Sequence, residues 1–262
     1  MDSAGMRRFL DRLAVVDRSA LLLDFDGTLA PFRKDPAKEK PWAGVPALLD
    51  KIQAARRTRI VLVSGRPARN VAAQLSLATP PEAWGLHGAE RLRVDGELEV
   101  ETLPMSQQLL LKAAREALEK AGCFDNTGLR LETKRNAVAV HWRGLSRQQA
   151  EMAREKALRV IAPIIAEETL ELLRFDGGVE LRAGSTKGDA VRRLLTETSA
   201  GTPMAYLGDD VTDEHAFHAI EGHGLSVLIR RQWRPTAAQL WMRPPAGLRA
   251  FLRGWLRATE SR

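Results

Sequence analysis

Several short apolar runs along the chain end abruptly in polar residues. Each run has the length of a strand and is apolar on both of its faces, a pattern typical of parallel strands covered by helices. These runs lie at residues 19–27, 59–66, 203–210 and 224–230. Segments with apolar residues at helical spacing alternate with them, at residues 43–56 and 186–198. The alternation predicts an open, doubly wound α/β sheet with right-handed crossovers.

The middle of the chain follows a different pattern. Residues 106–122 have an apolar stripe at helical spacing, with Ser106 as the predicted N-cap and Gly122 as the predicted stop. Two segments with the polar and apolar alternation of antiparallel hairpins follow, at residues 129–143 and 170–182, on either side of a charged helical stretch at 146–161. The order of elements here is helix, hairpin, helix, hairpin, without parallel strands.

This change of pattern predicts two domains. We expect residues 106–181 to form an α+β domain that is inserted into an α/β core. Residues 1–105 and 182–262 would then form the core, with the Rossmann-like arrangement of a doubly wound sheet.

Composition is that of an ordinary globular protein, with 262 residues, 44% of them hydrophobic and 28% charged. No apolar run approaches the roughly 20 residues that are needed to cross a membrane. Residues 1–13 lack an apolar stretch of signal-peptide length, so we expect a cytoplasmic protein with no membrane partner. Cys123 is the only cysteine, which excludes an intramolecular disulfide and a thiol-rich metal site; we expect it to be a small buried residue.

The chain is basic, with a net charge of +7 and a pI near 10. That charge favours anionic partners, which include nucleic acids, acidic lipids and phosphorylated small molecules. The arginines are scattered, and there is no zinc-finger spacing, aromatic-rich RNA-binding pattern or basic-region heptad. We therefore expect no nucleic acid partner, although charge alone does not choose among the other anions.

The polar residues with chemical potential follow the predicted strands. They are Asp24, Asp26, Ser64, Asp209, Asp210 and Asp213. Ligands of open α/β sheets bind at the carboxyl ends of the strands, so three distant segments would meet in one acidic pocket. Crowded carboxylates repel one another unless a cation is present, and oxygen ligands suit Mg²⁺. The sequence therefore predicts a magnesium site at this edge.

Each segment also has an ordinary structural explanation. The stretch DFDGT is compatible with a strand that runs into an Asp-Gly turn, and Ser64 with a cap of the following helix. A calcium loop at GDDVTDE is disfavoured, because Val211 occupies a position that needs a ligand oxygen. Lys187 lies outside any G-x-x-x-x-G-K-[ST] pattern, which excludes a P-loop nucleotidase, but its place near a helix N-terminus suits a phosphate.

In the predicted inserted domain, polar side chains share strand faces. Glu132 and Lys134 are two residues apart and point the same way, His141 lies on the next strand and Glu180 on the last. Facing a pocket, such groups would bind several sugar hydroxyls at once. The pattern alone favours the alternative, in which they form the solvated face of a half-buried hairpin.

Taken in order, the segments D-x-D-G-T, Ser-Gly, Lys and G-D-D-x-x-D resemble those of the haloacid dehalogenase (HAD) superfamily of phosphotransferases. The resemblance implies that Asp24 is the nucleophile, which forms an aspartyl-phosphate, and that Asp26 is the general acid and base. It implies that Ser64 and Lys187 hold the phosphoryl oxygens.

The same resemblance implies a metal set. Mg²⁺ would be held by Asp24, the main-chain carbonyl of Asp26 and Asp209. Asp213 would orient waters of the metal, and Asp210 would share that task.

Over nearly its whole length the chain resembles the trehalose-6-phosphate phosphatase family. Stretches that match are FDGTLA, VSGR, GLHGAE, LETKRNAVAVHWR, VELR, STKG and GDDVTDEHAF, of which the one at residues 131–143 is the most discriminating. The resemblance implies that the inserted domain is a cap and that Glu132, Lys134, His141 and Glu180 contact the distal glucose. Arg66 would lie near the boundary with the cap as a further substrate ligand, whereas the roles of His87 and Glu90 in GLHGAE stay open. Where the family often has a proline after VELR, this chain has Ala183-Gly184.

From this resemblance we expect Mg²⁺-dependent hydrolysis of trehalose 6-phosphate to trehalose and phosphate by a monomer with a small-molecule substrate. One alternative is a phosphatase of another sugar phosphate, such as sucrose phosphate or mannosylglycerate phosphate. Another is a catalytically silent protein that senses a sugar phosphate. The presence of every acidic and lysine position that turnover needs argues against the silent sensor.

Overall fold

A computed structural model of the protein describes residues 3–33, 39–122, 128–165, 170–175 and 177–260. The chain divides into two compact units, of which the larger contains residues 1–100 and 185–262 and the smaller residues 101–184. The predicted boundaries, at 105/106 and 181/182, fall inside the smaller unit, a few residues from its ends. The prediction for Cys123 lies outside the described residues, as does residue 176 of the second predicted hairpin.

The larger unit is built on an eight-stranded sheet. Its strands, numbered in chain order, are β1 (Ser19–Leu23), β2 (Thr58–Val63), β3 (Glu82–Gly85), β4 (Glu90–Leu92), β5 (Leu98–Val100), β10 (Met204–Gly208), β11 (Leu225–Ile229) and β12 (Leu240–Met242). They are ordered β12-β11-β10-β1-β2-β3-β4-β5, with parallel pairing from β12 to β3 and antiparallel pairing beyond. The four strands predicted from the sequence correspond to β1, β2, β10 and β11, which are neighbours in this sheet.

Helices cover both faces of this sheet. They are α1 (Ser3–Val15), α2 (Val45–Ala54), α3 (Ala68–Leu75), α6 (Lys187–Thr196), α7 (Glu214–Ile220) and α8 (Ala246–Glu260). Alternate residues of β1 enter two separate buried clusters: Leu21 and Leu23 pack in one with α1, α2, α3 and α8, whereas Leu22 packs in the other with α6 and α7. The doubly wound α/β architecture predicted from the apolar runs is therefore confirmed.

The smaller unit is α+β. Its sheet is antiparallel, with the order β6-β7-β9-β8, and contains β6 (Arg130–Thr133), β7 (Ala137–His141), β8 (Glu171–Phe175) and β9 (Gly178–Arg182). Its helices are α4 (Met105–Lys120) and α5 (Arg147–Ile165), and both contribute to one buried cluster with this sheet. Both predicted hairpins are present.

One boundary in the smaller unit was predicted wrongly. The N-cap of α4 is Pro104 and not Ser106, and the helix begins at Met105. The φ of Pro104, −54°, is already close to the helical value, and its missing N–H needs no partner at a helix start.

Within the part of the chain that is described, no helix combines the length and the apolar character that a membrane crossing requires.

Candidate active site

Parallel pairing of the central strands brings three chain segments to one edge of the larger unit. Leu23 of β1 is paired with Leu207 of β10 and with Leu62 of β2. The residues that follow these strands therefore meet at the carboxyl end of the sheet, as predicted. Asp24 and Asp209 follow β1 and β10.

Asp24 is buried and held in place from several directions. Its backbone N–H donates to the carbonyl oxygen of Leu207 at 2.9 Å. Its carboxylate accepts the Lys187 amine at Oδ1, at 2.7 Å, and the Thr28 hydroxyl at Oδ2, at 3.1 Å. Burial raises the pKa of Asp24 to about 7, and neighbouring carboxylates add to the rise, although Lys187 opposes it. The predicted nucleophile is thus fixed in position, and its negative charge is only partly compensated.

Lys187 is the first residue of α6, and the start of that helix is firmly capped. The Thr186 hydroxyl accepts the backbone N–H of Asp189, while the Asp189 carboxylate accepts the backbone N–H of Thr186. From there the buried amine donates to Asp24 Oδ1 and Asp213 Oδ1, both at 2.7 Å. These two carboxylates raise the pKa of Lys187 above its ordinary value in spite of its burial, so the amine stays cationic.

Asp213 is completely buried, and both of its carboxylate oxygens are engaged. Oδ2 accepts the backbone N–H groups of Asp209 and Asp210 at 3.0 and 2.9 Å. Oδ1 accepts the Tyr206 hydroxyl at 2.6 Å as well as the amine of Lys187. Burial alone would raise the pKa of Asp213, but the charge of Lys187 and these hydrogen bonds hold it below the usual value. Asp213 therefore fixes the loop after β10.

Asp209 has the least compensated carboxylate of the site. It is buried, its Oδ2 lies 3.8 Å from Nη1 of Arg230, and its Oδ1 has no hydrogen-bond partner among the described residues. Burial raises the pKa of Asp209 well above the usual value, and Asp24 and Asp213 raise it further. A buried oxygen without a partner, next to other carboxylates, is a place where a cation would lower the free energy.

One ligand oxygen from each of Asp24, Asp209 and Asp213 lies within 4.8 Å of the other two. Three carboxylates face one lysine, so the cluster has excess negative charge. An oxygen-only donor set of this kind fits a hard divalent cation. Gly27 leaves space for the carboxylate of Asp209, because a Cβ at this position would lie 2.1 Å from Asp209 Oδ2. Its φ of +84° also favours glycine.

Asp26 is held by Arg66. Nε of Arg66 donates to Asp26 Oδ2 at 2.7 Å, and Nη2 donates to Oδ1. Burial would raise the pKa of Asp26, but the hydrogen bonds and charge of Arg66 lower it. The same guanidinium also pairs with Glu39, and burial together with Asp26 raises the pKa of Glu39 to about 8. Arg66, predicted as a substrate ligand, thus contacts the predicted acid and base, and its role toward substrate stays a prediction.

Ser64 follows β2 and is fully buried. Its hydroxyl accepts the backbone N–H of Arg66 at 3.2 Å. The N-cap of α3 is Pro67, so Ser64 does not cap that helix, and this alternative is wrong. The backbone N–H of His87 donates to the carbonyl oxygen of Ser64 at 2.9 Å.

His87 and Glu90, whose roles the sequence left open, and Asp210 have structural contacts. The carboxylate of Glu90 accepts the backbone N–H of Ala68 at 2.9 Å, at the start of α3. His87 packs against Gly65, where a Cβ would lie 2.6 Å from Nε2 of the imidazole. Asp210 accepts the backbone N–H of Val211 at 2.8 Å. The stretch GLHGAE therefore supports the Ser64 loop, and Asp210 supports the turn that presents Asp213.

Sequence reasoning missed Thr28, Tyr206 and Glu39. Thr28 is the last residue of the D-x-D-G-T segment, so the motif indicated that it matters but did not indicate its contact with Asp24. Tyr206 lies inside an apolar strand, where it resembles any core residue. Glu39 belongs to a charged segment that has the composition of a surface loop.

In the smaller unit, the four predicted substrate ligands share one face of the sheet. Glu132 is paired across the strands with Ala139, and Ala139 with Glu180, so the two carboxylates lie in one row. Nε2 of His141 lies 2.7 Å from Glu132 Oε2, and this bond lowers the pKa of Glu132. The Lys134 amine donates to Glu180 Oε2 at 2.7 Å. The structure thus brings these four together as two polar pairs.

The chain is similar in sequence to curated trehalose-phosphate phosphatases of mycobacteria. The trehalose-phosphate phosphatase of Mycobacterium marinum is 31% identical over 255 residues, which cover 90% of this chain and 61% of that protein. The chain thus spans less than two thirds of the length of the curated relatives that it matches.

Solved structures share the fold. The C-terminal domain of the C. albicans trehalose-6-phosphate phosphatase matches with a TM-score of 0.78 at 21% identity, covering 97% of this chain and 96% of that one. A phosphatase of the HAD superfamily from Bacteroides thetaiotaomicron matches with a TM-score of 0.60 at 16% identity, covering 91% and 95%. These similarities confirm the predicted HAD-type fold.

The family model described as trehalose-phosphatase matches residues 22–240. That range begins in β1 just before Asp24, includes the whole smaller unit and extends beyond Asp213. Since it takes in both the acidic edge and the polar sheet face, the chain belongs to the trehalose-phosphatase family.

Proposed function

We propose that this protein is a Mg²⁺-dependent phosphoric monoester hydrolase that converts trehalose 6-phosphate into trehalose and phosphate. The observation that carries the proposal is the buried contact between Asp24 and Lys187, beside an oxygen of Asp209 that accepts no hydrogen bond from the residues the structure describes. The family to which the chain belongs and the name of its mycobacterial relative support this choice of substrate. Its cytoplasmic location and monomeric state remain predictions.

In the first step, a carboxylate oxygen of Asp24 attacks phosphorus, and the bond between phosphorus and the sugar oxygen breaks. Asp26, which must carry a proton for this step although Arg66 lowers its pKa, gives that proton to the oxygen, which leaves as the trehalose hydroxyl. Lys187 is positioned to offset charge on the phosphoryl oxygens, and Ser64 to donate a hydrogen bond to them.

In the second step, water attacks phosphorus of the aspartyl-phosphate. Asp26 takes the proton of that water, and the bond between phosphorus and Asp24 breaks, which releases phosphate and restores the carboxylate. One side chain thus returns the proton that it gave in the first step.

Asp24, Asp209 and the main-chain carbonyl of Asp26 would hold Mg²⁺, while Asp213 holds the loop that contains Asp209. When bound, the ion supplies positive charge that reduces repulsion between the nucleophile and the phosphate.

The polar face of the smaller unit, which contains Glu132, Lys134, His141 and Glu180, would act as the cap surface that binds the distal glucose. Two carboxylates, an amine and an imidazole offer both acceptors and donors to sugar hydroxyls. A phosphatase of another sugar phosphate is the second candidate. The acidic edge would determine only the reaction, phosphoryl transfer, whereas the polar face would determine which sugar is accepted.

The central test is phosphate release by the purified protein over a panel of esters. We expect turnover with Mg²⁺ that is highest for trehalose 6-phosphate and that disappears when EDTA removes the metal. Higher activity on sucrose phosphate or mannosylglycerate phosphate would favour the second candidate. Absence of turnover on every ester in the presence of Mg²⁺ would favour a silent sensor.

Replacement of the nucleophile should abolish turnover without unfolding the protein. Asp24→Asn keeps the shape of the side chain but substitutes a poor nucleophile, so we expect kcat to fall by at least about 10³-fold. Steady-state kinetics and a melting curve check both parts. Asp95→Asn, which neutralises an exposed carboxylate that accepts the N–H of Glu97, is the matched control. Residual activity of Asp24→Asn above a few per cent would contradict the assignment.

Stabilisation by Mg²⁺ should depend on pH. The raised pKa of Asp24, about 7, means that the folded metal-free protein holds a proton that the unfolded chain loses at lower pH. Raising the pH through 7 therefore destabilises the metal-free protein, whereas a cation that replaces this proton gains affinity. We expect the rise in Tm on adding Mg²⁺ to be larger at pH 8 than at pH 6, by about 2 °C or more. An equal rise at both pH values would contradict a shared site for proton and metal.

Loss of a carboxylate from the polar face should affect the disaccharide selectively. In Glu132→Ala, we expect kcat/KM for trehalose 6-phosphate to fall about 10²-fold, while that for p-nitrophenyl phosphate stays within about twofold. Glu116→Ala, which removes a half-exposed carboxylate from α4, should change neither value. Equal losses on both substrates would show that Glu132 has no part in sugar recognition.

A further inference from the structure

Glu39 is a buried carboxylate outside the segments that define the family resemblance. Only 2% of its surface is exposed, although it lies in the charged segment after β1. Its Oε1 accepts the backbone N–H of Arg33 at 2.8 Å, and its Oε2 accepts Nη2 of Arg66. Both of its oxygens are thus engaged inside the larger unit.

Arg66 connects Glu39 to Asp26. The guanidinium donates through Nε and Nη2 to the two oxygens of Asp26, a bidentate contact that fixes the orientation of that carboxylate. The same Nη2 donates to Glu39, and Nη1 donates to Gln74 Oε1 at 2.8 Å. The guanidinium carbon also lies 5.4 Å from the centroid of the Phe25 ring.

Gln74 closes this network. Its side-chain amide donates to the carbonyl oxygen of Glu39 at 2.9 Å, while its Oε1 accepts Nη1 of Arg66. The backbone and the side chain of Glu39 are therefore tied to the same guanidinium that holds Asp26. An arginine side chain has many rotamers, so this much ordering sets the place of its head group.

We propose that Glu39 is a positioning residue that acts through Arg66 to hold the carboxylate of Asp26 where it meets the leaving oxygen. The inference rests on the proposed function, since it takes Asp26 as the group that protonates the sugar oxygen. Glu39 also makes a side-chain hydrogen bond with Asp26 itself, so it restricts that carboxylate directly as well as through the guanidinium. It accepts a hydrogen bond from Nη2 of Arg66 and so restricts the guanidinium from one side, while Gln74 restricts it from another.

The first turnover distinguishes this role from a structural one. Trehalose leaves as an alkoxide that needs a proton, whereas p-nitrophenolate leaves without one. In Glu39→Ala, we expect the first-turnover rate with trehalose 6-phosphate, measured by rapid quench with Mg²⁺, to fall about tenfold, a size typical of a modest misplacement of the acid. The corresponding rate with p-nitrophenyl phosphate should stay within about twofold. Equal slowing with both esters would overturn the proposal, because it would indicate a general distortion.

Three further variants complete the test. Glu39→Gln retains an oxygen that can accept from Nη2 of Arg66, so it should recover most of the lost rate. In an Arg66→Ala background, Glu39→Ala should cause a smaller loss than it does in the wild type, because the connecting guanidinium is gone and only the direct contact with Asp26 is left. Glu97→Ala, which removes an exposed carboxylate near Arg93, should behave as the wild type. A full additional loss in the Arg66→Ala background would overturn the proposal.

Failure of the proposed function would look different. A wild-type protein that hydrolyses another alkyl phosphate in preference to trehalose 6-phosphate would refute the assigned substrate, and the same comparison with that ester would still decide the role of Glu39. The choice of substrate is measured on the wild-type protein. The Glu39 test instead compares how much Glu39→Ala slows the first turnover of an alkyl phosphate and of p-nitrophenyl phosphate.

Discussion

The amine of Lys187 lies between Asp24 and Asp213, and the acidic edge depends on that contact. All three groups are buried, and their bonds connect the end of β1, the start of α6 and the turn after β10. An unpaired charge at this depth would be expensive: breaking a buried pair by removing one partner typically costs about 3–5 kcal/mol. Lys187 therefore lowers the free-energy cost of placing these two carboxylates close to each other, although it does not fully offset the burial of Asp24. One of them is then available for chemistry while the other holds the loop.

The same contact leaves the site short of positive charge. Asp213 uses its four hydrogen bonds to fix the loop, so the charge of Lys187 is shared, and Asp209 has none of it at hydrogen-bond distance. Burial raises the pKa values of Asp24 and Asp209, and Lys187 does not supply enough positive charge to cancel that rise. The pocket is thus stable with protons or with a cation, and it is strained when it has neither. In the proposed mechanism, such an arrangement would couple the ionisation of Asp24, the proposed nucleophile, to the binding of Mg²⁺.

The core sheet and the acidic edge could be predicted from the sequence because both depend on local patterns. β1, β2, β10 and β11 are apolar on both faces, and their polar ends must meet wherever parallel strands are neighbours. Strands β3, β4, β5 and β12 were missed, because they have three or four residues each and no long apolar run. The cap of α4 was misplaced because Ser106 is a good N-cap residue, whereas Pro104 owes its role to its fixed φ. Glu39 was unpredictable for another reason: its burial results from a contact with Arg66, and a charged loop does not reveal which of its carboxylates turns inward.

The polar face of the smaller unit differs from the acidic edge in how its groups are satisfied. Glu132 is paired with His141, and Lys134 with Glu180, so a sugar that binds there as proposed would have to replace bonds that already exist. Exchange of one hydrogen bond for another contributes little net free energy, so a single hydroxyl gains almost nothing. A ligand that contacts both pairs at once adds up several of these small free-energy gains. The entropic cost of ordering the side chains of this face is incurred only once. Selectivity would then come from the number of hydroxyls that fit together, because a smaller ester does not reach both pairs and gains none of these bonds.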